Sequence, residues 1–145
     1  MLNEEKTSVT EIIFYIIIIL LVFSVAQHLN VVVSGSMEPV FSRGDIVAVE
    51  KTNFFGIHEF DPNTVQVGDI VVYNAKWYDQ PVIHRVIDIK QFNGTTYYMI
   101  KGDHNNVPDP YWVTGDQITQ RVLTINGAPV VIPSVGYVNL WFRGL

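Results

Sequence analysis

Between Ile12 and Met37 the sequence carries no formal charge, and within that stretch Ile12–Ala26 (IIFYIIIILLVFSVA) is apolar at every helical angle. A helix that is hydrophobic all round needs either the middle of a large core or a bilayer. The chain has 145 residues. With such a segment set aside, about 110 remain, too few to build an interior that encloses a helix. At 1.5 Å per residue, about 20 residues cross a ~30 Å hydrocarbon layer, and Val9 to Leu29 supplies them. The sequence therefore divides into a short tail at 1–8, a transmembrane anchor at 9–29 and a β-rich domain at 30–145.

A cleavable leader is the rival reading, since Ser24-Val25-Ala26 has the small-x-small form of a cleavage site. Such a leader wants a positive N-terminal region. Here Glu4, Glu5 and Glu11 outnumber Lys6, which favours a retained anchor. Neither flank is rich in Lys or Arg, so charge does not set the orientation.

After Pro39 the pattern becomes β. Ile46–Val49, Ile70–Tyr73, Val82–Ile89, Thr96–Ile100, Arg121–Ile125 and Pro129–Ile132 are short, β-branched and aromatic-rich. Turn signals at Arg43-Gly44-Asp45, Gly68-Asp69, Asn93-Gly94, Gly102-Asp103 and Asn126-Gly127 separate them. The two Asn-Gly pairs read as hairpin turns. No helix-period stretch of useful length follows residue 33, and Asn53–Val65 reads as a loop excursion. The fold class is mainly β: an antiparallel sheet behind one membrane helix. The C-terminal run Leu140-Trp141-Phe142 suits a core edge or a surface dipping into lipid.

Composition removes several functions. The net charge is −5, and nine Lys plus Arg are scattered, so no nucleic-acid footprint exists. Zero cysteines exclude disulfides, a thiol nucleophile and Cys-ligated zinc. His84, Asp103, His104 and Asp109 match no familiar metal-ligand spacing; neither a metal nor another cofactor is expected. Arg43-Gly44-Asp45 spells an adhesion tripeptide, but a turn into the next strand explains it.

Just beyond the apolar run lies Ser34-Gly35-Ser36-Met37-Glu38-Pro39, a small flexible turn where a membrane helix meets water. Alone, Ser36 is a turn residue. In Val82-Ile83-His84-Arg85-Val86, alternation puts Val82, His84 and Val86 on one face and Ile83, Arg85 and Ile87 on the other. A lone histidine there reads first as a hydrogen-bonded core residue. Asp103 and Asp109 bracket a loop whose residues suit Asx turns.

The ordered combination says more. Ser-Gly-Ser-Met-x-Pro, Gly-Asp-Ile-Val-Val, Val-Ile-His-Arg-Val and Lys-Gly-Asp-x-Asn-Asn, with a second Asp six residues on, resembles type I signal peptidase. It is most similar to the archaeal and endoplasmic-reticulum branch. The resemblance runs from the membrane segment to about residue 125. The bacterial branch has a lysine at the position matching His84, which argues here against a Ser/Lys dyad. The resemblance implies Ser36 as nucleophile, His84 as general base and Asp109 as the likeliest partner of the imidazole. Asp103 matches the other family aspartate, and Ser34 a serine that helps the Ser36 N–H bind the oxyanion. It further implies a single-pass protein of the cell or endoplasmic-reticulum membrane, with its catalytic domain on the non-cytoplasmic side. Expected partners are signal-peptide-bearing preproteins, the lipid bilayer and other subunits of a processing complex. The competing readings are a catalytically silent, membrane-tethered β-domain and a related self-cleaving regulator.

Overall fold

The computed structural model describes residues 8–145, so the expected tail at 1–8, apart from Ser8, lies outside the described residues. Helix α1 spans Val9–Ala26. Ser8 starts it: its Oγ accepts the Glu11 N–H at 3.3 Å, and Glu11 accepts the Ser8 N–H at 2.8 Å. This reciprocal cap satisfies two donors that would otherwise be orphaned at the helix entry. No residue of α1 is buried, so among the described residues its apolar surface has no protein partner. That is the condition of a helix whose solvent is lipid.

The helix stops three residues short of the expected anchor, because Gln27 and His28 are polar and the chain then turns into β1, Leu29–Val31. His28 holds the junction. Its Nδ1 lies 2.7 Å from the Ser24 carbonyl, and its Nε2 lies 2.6 Å from Glu59 Oε1. Both partners are acceptors, so the ring satisfies both only as an imidazolium. The Ser24 carbonyl first and Glu59 second raise the His28 pKa above its usual value. Burial works against the Glu59 carboxylate, but the Lys51 N–H and His28 hold its pKa below the usual range. The end of α1 is thus tied to the β-domain by a charged, hydrogen-bonded pair.

The strands that follow are β2 (Ile46–Lys51), β3 (Ile70–Asn74), β4 (Pro81–Phe92), β5 (Thr95–Lys101) and β6 (Val113–Thr114). They continue as β7 (Ile118–Val122), β8 (Thr124–Ile125), β9 (Ala128–Pro129) and β10 (Val131–Ile132). An eight-stranded sheet runs in the order β1-β2-β7-β3-β4-β5-β6, with β10 also on β2, while β8 and β9 form a separate hairpin. All pairings are antiparallel. Both Asn-Gly pairs make two-residue hairpins: Phe92 faces Thr95 and Ile125 faces Ala128. Each turn residue has positive φ, from 50° at Asn93 to 80° at Gly127, as a type I′ turn requires.

Two expected strands are each divided. Arg121–Ile125 splits because Arg121 and Val122 pair with β2, whereas Thr124 and Ile125 pair with β9. Pro129–Ile132 splits because Pro129 stays in that hairpin while Val131 and Ile132 return to β2. β1 begins at Leu29, the last residue of the expected anchor, and β6 is too short to show alternation. A short helix, α2 (Tyr137–Phe142), also escapes a periodicity argument. It buries Leu140 and leaves Trp141 and Phe142 exposed. Within Asn53–Val65 there are only a Phe54–Ile57 bridge and a 3₁₀ turn at Pro62–Thr64.

The Arg43-Gly44-Asp45 turn is structural. Asp45 is buried and accepts the Ser42 and Ser134 N–H groups, both at 2.8 Å. Two packed clusters flank the site. One gathers Val71, Tyr73, Val82, Val86, Tyr98 and Ile100; the other gathers Val32, Met37, Phe41, Val47, Ile70 and Val122.

Candidate active site

Met37 is 1% exposed. Its burial in the second cluster pins the Ser34–Pro39 turn and leaves Ser36 beside it at the surface of the sheet. His84 enters from β4. The observed burial of Val82, His84 and Val86, with Ile83 and Arg85 less buried, matches the alternation expected. Asp109 arrives from the loop after β5, its N–H donating to the Ile100 carbonyl at 2.8 Å.

These three side chains meet. Ser36 Oγ lies 2.9 Å from His84 Nε2, and His84 Nδ1 lies 2.7 Å from Asp109 Oδ2 and 3.0 Å from Oδ1. A carboxylate only accepts, so Nδ1 carries the ring hydrogen. Nε2 then presents its lone pair to the Ser36 hydroxyl. His84 and Asp109 are 5% and 6% exposed, so their interaction is little screened by water. Such an order of hydroxyl, imidazole and carboxylate is able to move a proton off the serine and hold the resulting cation.

Ser34 Oγ lies 3.1 Å from Ser36 Oγ. Among the described residues the Ser36 N–H has no hydrogen-bond partner. The loop carrying Asp103 packs against the Ser36 turn: the His104 N–H donates to the Ser36 carbonyl at 2.9 Å. Asp103 itself is not brought to His84. Arg85 grips it through two bonds, Nε to Oδ1 at 2.8 Å and Nη2 to Oδ2 at 2.7 Å. A third Arg85 bond, Nη1 to the Gly68 carbonyl at 2.8 Å, ties the same guanidinium to the loop before β3. The bond from Asp103 outweighs burial and holds the Arg85 pKa above its ordinary value. Its place is therefore a fork that fixes the β5 loop against β4, rather than the turn hydrogen bond that its Gly102 neighbour suggests.

Three residues beside Ser36, His84 and Asp109 carried no role in the sequence reading. Met37 anchors the turn, and Tyr73 donates its phenolic hydrogen to Asp109 Oδ2 at 2.7 Å. Gly102 provides clearance, since a Cβ there would stand 2.7 Å from the Ser36 carbonyl oxygen and 2.9 Å from His84 Nε2. Gly102 was legible as part of Lys-Gly-Asp-x-Asn-Asn. Tyr73 was not, because a tyrosine ending a strand reads as ordinary β packing. No cluster of three metal-ligating side chains exists among the described residues.

The chain matches the family model described as signal peptidase, peptidase S26, over residues 6–90. That match includes Ser36 and His84 and stops short of Asp109. An uncharacterized protein of Methanocaldococcus jannaschii is 37% identical, over 83% of this chain and 86% of its own length. The signal peptidase complex catalytic subunit SEC11 of Metarhizium acridum is 36% identical, covering 76% of this chain and 60% of that protein. SEC11 of Pyricularia oryzae is 31% identical across 96% of this chain and 83% of its own. The chain thus spans about three fifths of one of these two subunits and most of the other. With the family model matched over more than half the sequence and such relatives covering most of it, this chain belongs to the S26 signal peptidase family.

Proposed function

We propose that this chain is a membrane-anchored serine endopeptidase that removes N-terminal signal peptides from secreted and membrane preproteins, cutting after small residues at −1 and −3. The observation that carries the reading is the Ser36–His84–Asp109 relay at 2.9 and 2.7 Å, on a chain of this family, ten residues past an unpacked apolar helix.

In this reading Ser36 Oγ attacks the scissile carbonyl while His84 Nε2 takes its proton. The imidazolium then passes that proton to the departing amine, leaving an acyl ester on Ser36. Water, deprotonated by His84, attacks the ester and returns the serine. Asp109 holds the tautomer and offsets the transient cation. The free Ser36 N–H and the Ser34 hydroxyl are the donors for the oxyanion. Asp103 acts at one remove, through Arg85 and the loop that packs against the Ser36 turn.

The substrate lies extended. Val33 and Ser34 make no backbone hydrogen bonds among the described residues, so a peptide segment has an open edge to pair with beside the nucleophile. The anchor, proposed as Val9–Ala26, keeps that edge where a precursor leaves the bilayer. The exposed Trp141 and Phe142 of α2 suit the same interface, since α2 sits beside the Gly44 turn through the Gly136 N–H to Gly44 carbonyl bond of 2.8 Å. Likeness to SEC11, whose name places it in a complex, supports association with other subunits of a processing complex; a catalytic domain on the non-cytoplasmic side belongs to the same proposal.

Cleavage of a model preprotein in proteoliposomes, by the full chain and by Ser36→Ala, tests the proposal. Processing by the full chain and none by the variant supports it. Equal processing, or none by either, overturns it.

A further inference from the structure

The peptidase reading makes no use of the Tyr73 hydroxyl. Tyr73 is 0% exposed on β3. Val71 stands opposite His84 and Tyr73 opposite Val82, so Tyr73 shares the face of the sheet that carries His84. A phenylalanine would fill the same space among Val82, Tyr98 and Val113 of that cluster. What the hydroxyl donates is one bond, 2.7 Å to Asp109 Oδ2. That is the oxygen which also receives the 2.7 Å contact from His84 Nδ1.

Two donors on one carboxylate oxygen divide its negative charge. A hydrogen bond to the ionised carboxylate stabilises that form and leaves less charge to stabilise a neighbouring cation. The second donor also removes rotational freedom from a carboxylate that His84 alone leaves able to swing between its two oxygens. Burial first, and then Asp109, push the Tyr73 phenol far above the ordinary tyrosine range, so it remains a donor at any working pH.

We infer that Tyr73 is a positioning residue acting through Asp109: its hydroxyl fixes the carboxylate and sets the pH at which His84 becomes available as a base. The inference rests on the proposed Ser36–His84–Asp109 relay. The groups that bond the His84 ring are Asp109 and Ser36, with Tyr73 one bond further on. Arg85, next in β4, is turned to Asp103. Lys101 and His104, on β5 and the loop beyond it, make no hydrogen bond to the ring.

The test measures kcat/KM against pH for the full chain in detergent, on a peptide substrate. Removing the hydroxyl by Tyr73→Phe leaves the whole Asp109 charge to face the His84 cation, so the acid limb of the profile moves to higher pH. The plateau falls roughly 5–10-fold from the loosened carboxylate. Replacing Tyr73 with 3-fluorotyrosine strengthens the donor and moves the limb down with the plateau kept, and it serves if Tyr73→Phe does not fold. Adding Tyr73→Phe to Asp109→Asn leaves the pH limb where Asp109→Asn alone puts it, because the charge through which the hydroxyl acts is gone. A residue that only packs would lower Tm without moving either limb. A wild-type limb that neither change moves overturns this inference alone. A wild type with no acid limb overturns the relay itself.

Discussion

Ser36 and His84 are 48 residues apart in sequence, and their side chains stand 2.9 Å from one another, Oγ to Nε2. One lies in a turn pinned by a buried methionine, the other in a strand whose other buried residues, Val82 and Val86, are valines. If the serine is the nucleophile, Ser36→Ala abolishes cleavage and leaves Tm within a few degrees, since Ser36 is outside both packed clusters. A serine-directed phosphonate labels the wild type and not the variant. Ser34→Ala slows turnover by roughly 10²–10³, the usual cost of an oxyanion donor. A Ser34→Ala rate within a few-fold of wild type removes Ser34 from that role.

Protonating His84 removes the base, so kcat/KM falls on the acid side with the slope of a single proton. His84→Ala is inactive across the range. A flat acid profile from the wild type would exclude an imidazole base.

The two aspartates separate by their partners. Asp109→Asn presents an amide to His84 Nδ1 and costs on the order of 10⁴ in turnover, as loss of the tautomer does in other triads. Asp103→Asn breaks a fork to Arg85 that is partly exposed, 29% and 20% at the two side chains. Its effect on turnover is milder, and Tm drops by roughly 2–5 °C. Kinetics and thermal melts on both variants check the ranking; the reverse order exchanges their roles.

Gly102→Ala places a methyl 2.7 Å from the Ser36 carbonyl oxygen and 2.9 Å from His84 Nε2. Neither neighbour is the free end of a flexible chain, so the pair is pushed apart. Turnover falls by roughly 10², the cost of about 1 Å of misplacement, while circular dichroism stays that of the wild type. Full activity in Gly102→Ala would show that the loop yields instead.

His28→Ala cuts the tie between α1 and Glu59. Cleavage of membrane-embedded precursors falls by about 10-fold or more, because the anchor supplies effective concentration only if it also aims the domain. Soluble peptides with Ala at −1 and −3 are cut as before. The tie has a pH window. With the His28 pKa raised, its contribution is complete below the unfolded histidine value and fades as pH rises through the folded one. With the Glu59 pKa lowered, its contribution holds above the unfolded carboxylate value and fades as pH falls through the folded one. Embedded substrates therefore show an alkaline decline in the wild type that soluble peptides lack. Equal losses on both substrates would show that His28 supports the fold itself.

The sequence alone marked out the N-terminal helix, because a run apolar on every face for this length is what a helix able to cross a membrane requires. It also placed both Asn-Gly hairpins, whose positive φ follows from residue type, and it put His84 on the buried face of β4 through simple alternation. Ser36, His84 and Asp109 were legible as an ordered set of motifs. What only the tertiary structure decided is who touches whom. Arg85 sits beside His84 in sequence, yet its side chain leaves for Asp103, and that pairing distinguishes the two aspartates. Tyr73 and Gly102 acquire their places through long-range pairing of β3, β4 and β5, and Met37 through the cluster it shares with Val47, Ile70 and Val122; no local pattern encodes either. The break at Val122 and the end of the anchor at Ala26 were decided differently. Strand partners set the first, and the second follows from polar Gln27 and His28, with His28 then held by Glu59.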